Sequence, residues 1–137
     1  NAYYACKAMR PNAKGIVTDV CVPISRLAEC LLETKKDIEK SDLLAPIVGH
    51  VGDGNFHLSM MVDMDDKNEV KRAHKLNERL IMRALSMDGT CTGEHGVGYG
   101  KTDFLLAEHG EAVSVMRSLK QSLDPANIMN PGKIIAV

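Results

Sequence analysis

The chain has 137 residues, enough for one ordinary domain with a moderate core but too few for two complete ones. Its charged fraction is 26% and its formal net charge is -1, which argues against a nucleic-acid partner because no basic surface dominates. No apolar run approaches the roughly 20 residues that span a bilayer, so no transmembrane segment is predicted.

The first half of the chain predicts two helices and two strands in alternation. Residues up to Lys14-Gly15 have helical composition, and residues 16–22 are rich in β-branched side chains, which indicates a strand that Pro23 stops. Ser25 is a candidate N-cap for an amphipathic helix over residues of about 25 to 40. The second strand is predicted from Leu44 to Val51.

A glycine turn at Gly52-Asp53-Gly54 leads to a third predicted strand. In this strand His57 faces away from the apolar side, which is formed by Phe56, Leu58, Met60 and Val62. Asp65 or Asp66 can cap a second long helix that ends near Asp88-Gly89. A shorter helix is predicted over residues of about 111 to 123, with an inward stripe of Ala112, Val115, Met116, Leu119 and Leu123.

The order of these elements is β-α-β-β-α with a terminal helix. It predicts an α+β fold, in which an antiparallel sheet carries helices packed on one face.

Two glycine-rich clusters concentrate the chemistry of the chain: Gly49 to His57, and Gly89 to Gly96. They contain His50, His57, Glu94 and His95, and imidazole and carboxylate groups are common ligands of zinc and similar divalent metals. The two histidines of the first cluster would lie on opposite faces of one continuous strand, but the glycine turn resets the phase and lets them converge. The alternative is that these four residues bind no metal and are polar residues of glycine turns whose hydrogen bonds are satisfied within the protein.

Three familiar motifs are approached but not matched. The run from Gly49 to Gly54 is close to a dinucleotide-binding fingerprint, but a strand follows it where that motif needs a helix. Gly100-Lys101-Thr102 ends like a phosphate-binding loop, yet His95 occupies the position of its first glycine. The acidic residues around Asp65 lack the glycine and glutamate of a calcium loop.

The chain contains three longer motifs: G-H-V-G-D-G-N-F-H, G-T-C-T-G-E-H-G-V-G and L-D-P-A-N-I-M-N-P-G-K-I. Together they resemble the C-terminal domain of FAD-linked oxidases related to vanillyl-alcohol oxidase. The resemblance runs from Arg10 to Ile134. With T-D-V-C-V-P-I-S-R-L, it is greatest to the animal mitochondrial members that oxidise D-lactate. It implies that residues 1–137 are the substrate- and metal-binding part of such an enzyme, with the FAD-binding domain on an N-terminal part absent from this chain.

The resemblance also implies an activity, which is oxidation of D-lactate or another D-2-hydroxy acid to the 2-oxo acid by hydride transfer to FAD. A divalent metal, zinc or manganese, assists, and electrons pass to an acceptor such as cytochrome c in mitochondria. Siblings in the family act on glycolate or D-2-hydroxyglutarate, so these substrates remain alternatives. A second alternative is a non-catalytic metal-binding module, and the chain by itself is not expected to be active.

Residue roles follow from the same resemblance. The metal ligands would be His50, His57 and Glu94, and His95 would be the general base that takes the hydroxyl proton. Asn55 is expected to hydrogen-bond the substrate, and Arg10 to anchor its carboxylate, since a guanidinium matches a carboxylate bidentately. The terminal segment is expected to run close to the flavin and to contact it through Asn130 and Lys133.

Overall fold

The structure is a computed structural model that describes residues 2–135. The chain divides into two compact units, residues 1–94 and residues 95–137. The first unit contains helix α1 (Ala2–Met9), strands β1 (Lys14–Val17) and β2 (Val20–Cys21), helix α2 (Ile24–Ser41), strand β3 (Ile47–His50), a 3-10 turn (Val51–Asp53), strand β4 (Asn55–Val62) and helix α3 (Lys67–Ser86). The second contains helices α4 (Thr102–His109) and α5 (Ala112–Leu123).

Strand β4 is the centre of an antiparallel sheet, which confirms the α+β prediction. On one edge it pairs with β3, from Ile47 opposite Leu58 to His50 opposite Asn55. On the other edge it pairs first with β2 and then with β1. All eight residues of β4 are buried, so the alternation predicted for this strand is present but neither of its faces is open to solvent.

The strand predicted over residues 16–22 is interrupted at Thr18 and Asp19, which separate β1 from β2. The register continues across the break, because Val17 pairs with Ser59 and Val20 pairs with Phe56. The break reflects a competition for hydrogen bonds, since the Thr18 hydroxyl accepts from the backbone N–H of Leu58 at 2.8 Å. Both interrupting residues are buried polar groups beside the central strand.

The two long helices match their predicted positions. Helix α3 begins after Asp66, whose carboxylate accepts hydrogen bonds from the backbone N–H groups of Asn68 and Glu69, which confirms the predicted cap. The prediction of Ser25 as the cap of α2 is wrong, because the N-cap position of that helix is Pro23, two residues earlier, and no side chain caps it. Helices α2 and α3 pack together and are bridged where Arg79 and Arg83 both contact Asp37.

In the second unit, α5 has the predicted bounds, whereas α4 was not predicted. The sequence of α4 places Phe104, Leu105 and Leu106 consecutively, so it lacks the spacing that marks an amphipathic helix. The inward stripe predicted on α5 is wrong: Val115, Leu119 and Leu123 are exposed, and Val113 is the buried residue of that helix. Helical spacing identifies an apolar face but not what covers it. Among the described residues, no helix is long and apolar enough to cross a membrane.

Candidate metal centre

The β3–β4 hairpin brings the two histidines of the first cluster to one face of the sheet. His50 is paired with Asn55 across the hairpin, and paired residues project to the same face. Asn55 and His57 are two apart in β4, so they also share that face. The predicted change of phase is thus achieved by the 3-10 turn and by Gly54, which has a φ of +75° and no room for a side chain because a Cβ would lie 2.1 Å from the Val22 carbonyl oxygen.

Glu94 joins these histidines from the second glycine-rich cluster. Its Oε1 lies 3.0 Å from Nε2 of His57, and its Oε2 lies 3.9 Å from Nε2 of His50. One ligand atom from each of the three side chains lies within 4.8 Å of the others. The sequence-predicted ligand set therefore converges within the first unit.

The centre is closed on one side and open on the other. The side chain of His57 is 10% exposed, whereas those of Glu94 and His50 are 45% and 65% exposed. A metal ion bound here would have buried protein on the His57 side and accessible coordination positions on the other. This is the pattern of catalytic metal sites, which keep a position for water or substrate.

The tautomer of His57 is fixed by its second nitrogen. Nδ1 lies 2.9 Å from the backbone carbonyl oxygen of Thr18, and that oxygen can only accept a hydrogen bond. Nδ1 therefore carries a hydrogen, and Nε2 is the ring nitrogen that is directed at Glu94. Metal-binding histidines commonly donate their other ring N–H to a carbonyl in this way.

Asp19 is a further residue of this centre, which the prediction of the site did not include. It is 3% exposed, and its carboxylate accepts hydrogen bonds from the Asn55 side-chain amide at 2.9 Å and from the backbone N–H of Glu94 at 3.0 Å. Its Oδ1 also lies 3.7 Å from Nδ1 of His57. The one signal in the sequence was an aspartate inside a run of β-branched residues, where an acidic side chain is unusual.

Gly93 allows the second cluster to approach the sheet. A Cβ at this position would lie 1.8 Å from Nδ2 of Asn55 and 2.7 Å from Oδ1 of Asp19. No side chain fits there, so the residue before Glu94 must be glycine for these contacts to form.

Asn55, the predicted substrate residue, lies in this centre but is buried. Its Nδ2 donates to Asp19 and to the backbone carbonyl oxygen of Val20, both at 2.9 Å. Its Oδ1 has no hydrogen-bond partner among the described residues. Since Asn55 is 5% exposed, its role as a substrate ligand stays a prediction.

Cys21 is paired with Asn55 across the sheet, and a cysteine thiolate is a common metal ligand. Burial raises the pKa of its thiol, and the nearby carboxylates of Asp19 and Asp53 raise it further. Its Sγ donates to the backbone carbonyl oxygen of Asp53 at 3.2 Å. Among the described residues, the side chains whose ligand atoms lie close enough to share one ion are His50, His57 and Glu94, so Cys21 is not counted among the ligands.

Arg10, the predicted carboxylate anchor, already contacts a carboxylate of this chain. Its guanidinium binds both oxygens of Glu69 and donates to the backbone carbonyl oxygen of Met61 at 3.0 Å. Hydrogen bonding to Glu69 raises the pKa of Arg10, although burial opposes this shift. The side chain is 39% exposed, and its role toward substrate stays a prediction.

The remaining predicted residues belong to the second unit, residues 95–137. His95 is its first residue and is exposed. Asn130 and Lys133 line an apolar cavity of about 470 Å³ within this unit, together with Leu123, Met129 and Ile134. Asp124 also lines this cavity, and its carboxylate accepts hydrogen bonds from the backbone N–H groups of Ile128 and Met129 at 3.0 and 2.9 Å.

The sequence matches one family of known proteins. A family model described as FAD linked oxidases, C-terminal domain, matches residues 2–134. The chain is 55% identical over 136 residues to Probable D-lactate dehydrogenase, mitochondrial, of Danio rerio, covering 98% of the chain and 27% of that relative. It is 50% identical over 135 residues to D-lactate dehydrogenase (cytochrome), mitochondrial, of Arabidopsis thaliana, covering 98% of the chain and 24% of that relative.

The fold is also found in a solved structure, 4-ethylphenol oxidase from Gulosibacter chungangensis in its isoeugenol complex. The two share a TM-score of 0.65 at 19% identity, over 93% of this chain and 25% of that one. The chain spans about a quarter of the length of the curated relatives that it matches. The match over residues 2–134 shows that the chain belongs to the FAD linked oxidases, within their C-terminal domain.

Proposed function

We propose that this chain carries the substrate- and metal-binding site of an FAD-dependent dehydrogenase that oxidises D-lactate to pyruvate. The observation that carries the proposal is the convergence of His50, His57 and Glu94 on one face of the sheet. The names of the relatives from Danio rerio and Arabidopsis thaliana support D-lactate as substrate, a cytochrome as electron acceptor and a mitochondrial location. The flavin would be held mainly by the part of the protein outside these residues.

The donor set fits a divalent metal ion. Nε2 of His57 faces a carboxylate oxygen of Glu94 at 3.0 Å, and such a contact needs a proton or a cation between the two atoms. Two ligands about 2.1 Å from one ion lie roughly 3.0 Å apart at the right angle of octahedral coordination, which manganese adopts, and roughly 3.4 Å apart at the tetrahedral angle of zinc, so this separation is close to that of a shared ion. The presence of a second imidazole, His50, near the same carboxylate supports the ion over the proton.

In the proposed reaction the chain binds the 2-hydroxy acid at the open side of the centre. When bound, the metal would make the substrate hydroxyl more acidic and FAD would accept the hydride from the carbon that bears it. His95 takes the hydroxyl proton, and the resulting carbonyl is that of pyruvate. Asn55 is proposed to hold the substrate, and Asn130 and Lys133 to contact the flavin. Arg10 is proposed as the carboxylate anchor, for which its side chain would have to leave its contacts with Met61 and Glu69 and move toward the centre.

The test uses the protein at its natural length, purified with FAD, and compares D-lactate, glycolate and D-2-hydroxyglutarate as substrates by flavin bleaching. Turnover that is greatest with D-lactate and is lost on chelation and restored by zinc or manganese would support the proposal. Preference for another of the three acids would reassign the substrate. Full turnover after complete removal of metal would refute the metal-dependent mechanism.

A further inference from the structure

The Asp19 carboxylate lies where the sheet and the second glycine-rich cluster meet. The register of the pairs on either side of it places Asp19 opposite His57. It is buried, and its oxygens face donors on two separate segments of the chain. A buried carboxylate is retained at low cost only when such donors satisfy it.

The hydrogen bonds between Asp19 and the second cluster are made at Glu94, the proposed third metal ligand. Both Asp19 oxygens accept from the backbone N–H of Glu94, at 3.2 and 3.0 Å, and Oδ2 accepts from the Thr92 hydroxyl at 3.4 Å. Residues 92–95 have no regular secondary structure that would fix their backbone. The position of Glu94 therefore depends on side-chain contacts of this kind.

We propose that Asp19 is a positioning residue that holds Glu94 against His50 and His57 and so sets the affinity of the centre for its metal. This inference rests on the proposed function for the existence of a metal. Partners that orient metal ligands in this way typically change metal affinity by about 10- to 100-fold when removed. Asp19 acts through Glu94 and is not itself counted as a ligand.

The test compares Mn²⁺ affinity, measured from the electron paramagnetic resonance signal of free Mn²⁺, in the parent protein and in Asp19→Asn. Asparagine has the same size, but its NH₂ group would face the N–H donors that the carboxylate now accepts from. We expect affinity to fall about 10- to 100-fold. The control is Thr92→Val, which removes only the 3.4 Å contact and should change affinity by less than about threefold.

A double-mutant cycle separates positioning from a general effect on folding. If Asp19 acts through Glu94, Asp19→Asn should cost little further affinity in a Glu94→Gln background. Additive losses, or parent affinity in Asp19→Asn alone, would overturn the inference. If Asp19→Asn does not fold, Asp19→Glu replaces it, since it keeps the charge but displaces the oxygens by one methylene. That variant should also bind Mn²⁺ at least about tenfold more weakly, and parent affinity would again be contradictory.

Failure of the proposed function has a different signature. In that case the parent would bind no Mn²⁺ and His50→Ala would behave identically, which would remove both the metal centre and the inference that depends on it. A parent that binds Mn²⁺ and loses it in His50→Ala, beside an Asp19→Asn variant of unchanged affinity, would overturn the role of Asp19 alone.

Discussion

Nε2 of His57 lies 3.0 Å from Oε1 of Glu94, although one residue is on the central strand and the other in a glycine-rich loop. The ring cannot turn away without losing the hydrogen bond from its Nδ1 to the Thr18 carbonyl oxygen. Nε2 of His57 is thus fixed in direction before any ligand arrives, which is the preorganisation that a metal centre requires.

The two histidine ligands should differ in what they contribute to folding. His50 is mostly exposed, so His50→Ala should lower metal affinity by at least about tenfold while changing the free energy of unfolding of the metal-free protein by less than about 0.5 kcal/mol. His57→Ala should lower metal affinity and also destabilise the metal-free protein by about 1–3 kcal/mol, because it leaves the Thr18 carbonyl oxygen without its donor. Metal titration and urea denaturation with chelator check both values. Equal destabilisation by the two variants would contradict the burial argument.

Replacing the proposed general base should separate turnover from metal binding. His95→Gln should lower turnover of D-lactate by about 10²- to 10⁴-fold, because the substrate hydroxyl loses its proton acceptor, and should leave metal content unchanged. Steady-state kinetics and elemental analysis of the same sample measure the two effects. The matched control is His109→Gln, another histidine of the second unit, which should keep parent turnover. Parent turnover in His95→Gln would exclude it as the base.

A methyl group at Gly93 should damage the centre. Gly93→Ala would place Cβ 1.8 Å from Nδ2 of Asn55, so the loop that carries Glu94 must move away from the sheet. We expect a loss of about 1–3 kcal/mol in the free energy of unfolding and at least about tenfold weaker metal binding. Gly52→Ala is the control, since a Cβ there meets nothing within 4 Å. If Gly93→Ala binds metal like the parent, the close approach is not needed.

The bridge between α2 and α3 should make stability depend on pH through Asp37. Burial by itself would raise the pKa of this carboxyl, but hydrogen bonds from Arg79 and Arg83 outweigh it and the pKa is lowered. A lowered folded-state pKa means that the stabilisation is present above the unfolded pKa, about 3.9, and is lost as pH falls through the folded value. Asp37→Asn should therefore cost about 1–3 kcal/mol at pH 7 and progressively less below about pH 4.

Urea denaturation of parent and Asp37→Asn at several pH values measures this difference. Glu33→Gln is the comparison variant, because Glu33 is 48% exposed and contacts only Arg83 among the salt bridges of the described residues. It should cost less than about 1 kcal/mol at any pH. A cost of Asp37→Asn that does not vary with pH would contradict the role of its charge.

Arg10 tests whether one guanidinium can serve both Glu69 and the substrate. If it anchors the substrate carboxylate as proposed, Arg10→Lys should raise KM for D-lactate by about tenfold, because lysine cannot bind a carboxylate bidentately. The turnover number and metal content should change much less. Glu69→Gln, which weakens the existing ion pair, is the companion variant and should not raise KM. Lower stability of Arg10→Lys with an unchanged KM would show that the guanidinium serves only the fold.

The sequence by itself determined the features that depend on neighbours along the chain. Apolar residues at helical spacing located α2, α3 and α5, and an aspartate before the periodic stretch located the cap of α3. The histidines and the glutamate were identified as candidate metal ligands because the residue types and the glycines beside them can be read directly from the sequence. The motifs that contain them also indicated the family, which the match over residues 2–134 confirmed.

Only the tertiary structure decided the features that depend on distant residues. Asp19 gained its position beside Glu94 from strand pairing and from the absence of a side chain at Gly93, neither of which a local pattern can show. The sequence also could not predict that the polar face of β4 is buried or that the apolar stripe on α5 is exposed. Periodicity indicates which residues share a face, but not what packs against that face. The sequence thus supplies the ligands, and nonlocal hydrogen bonding and packing supply their geometry.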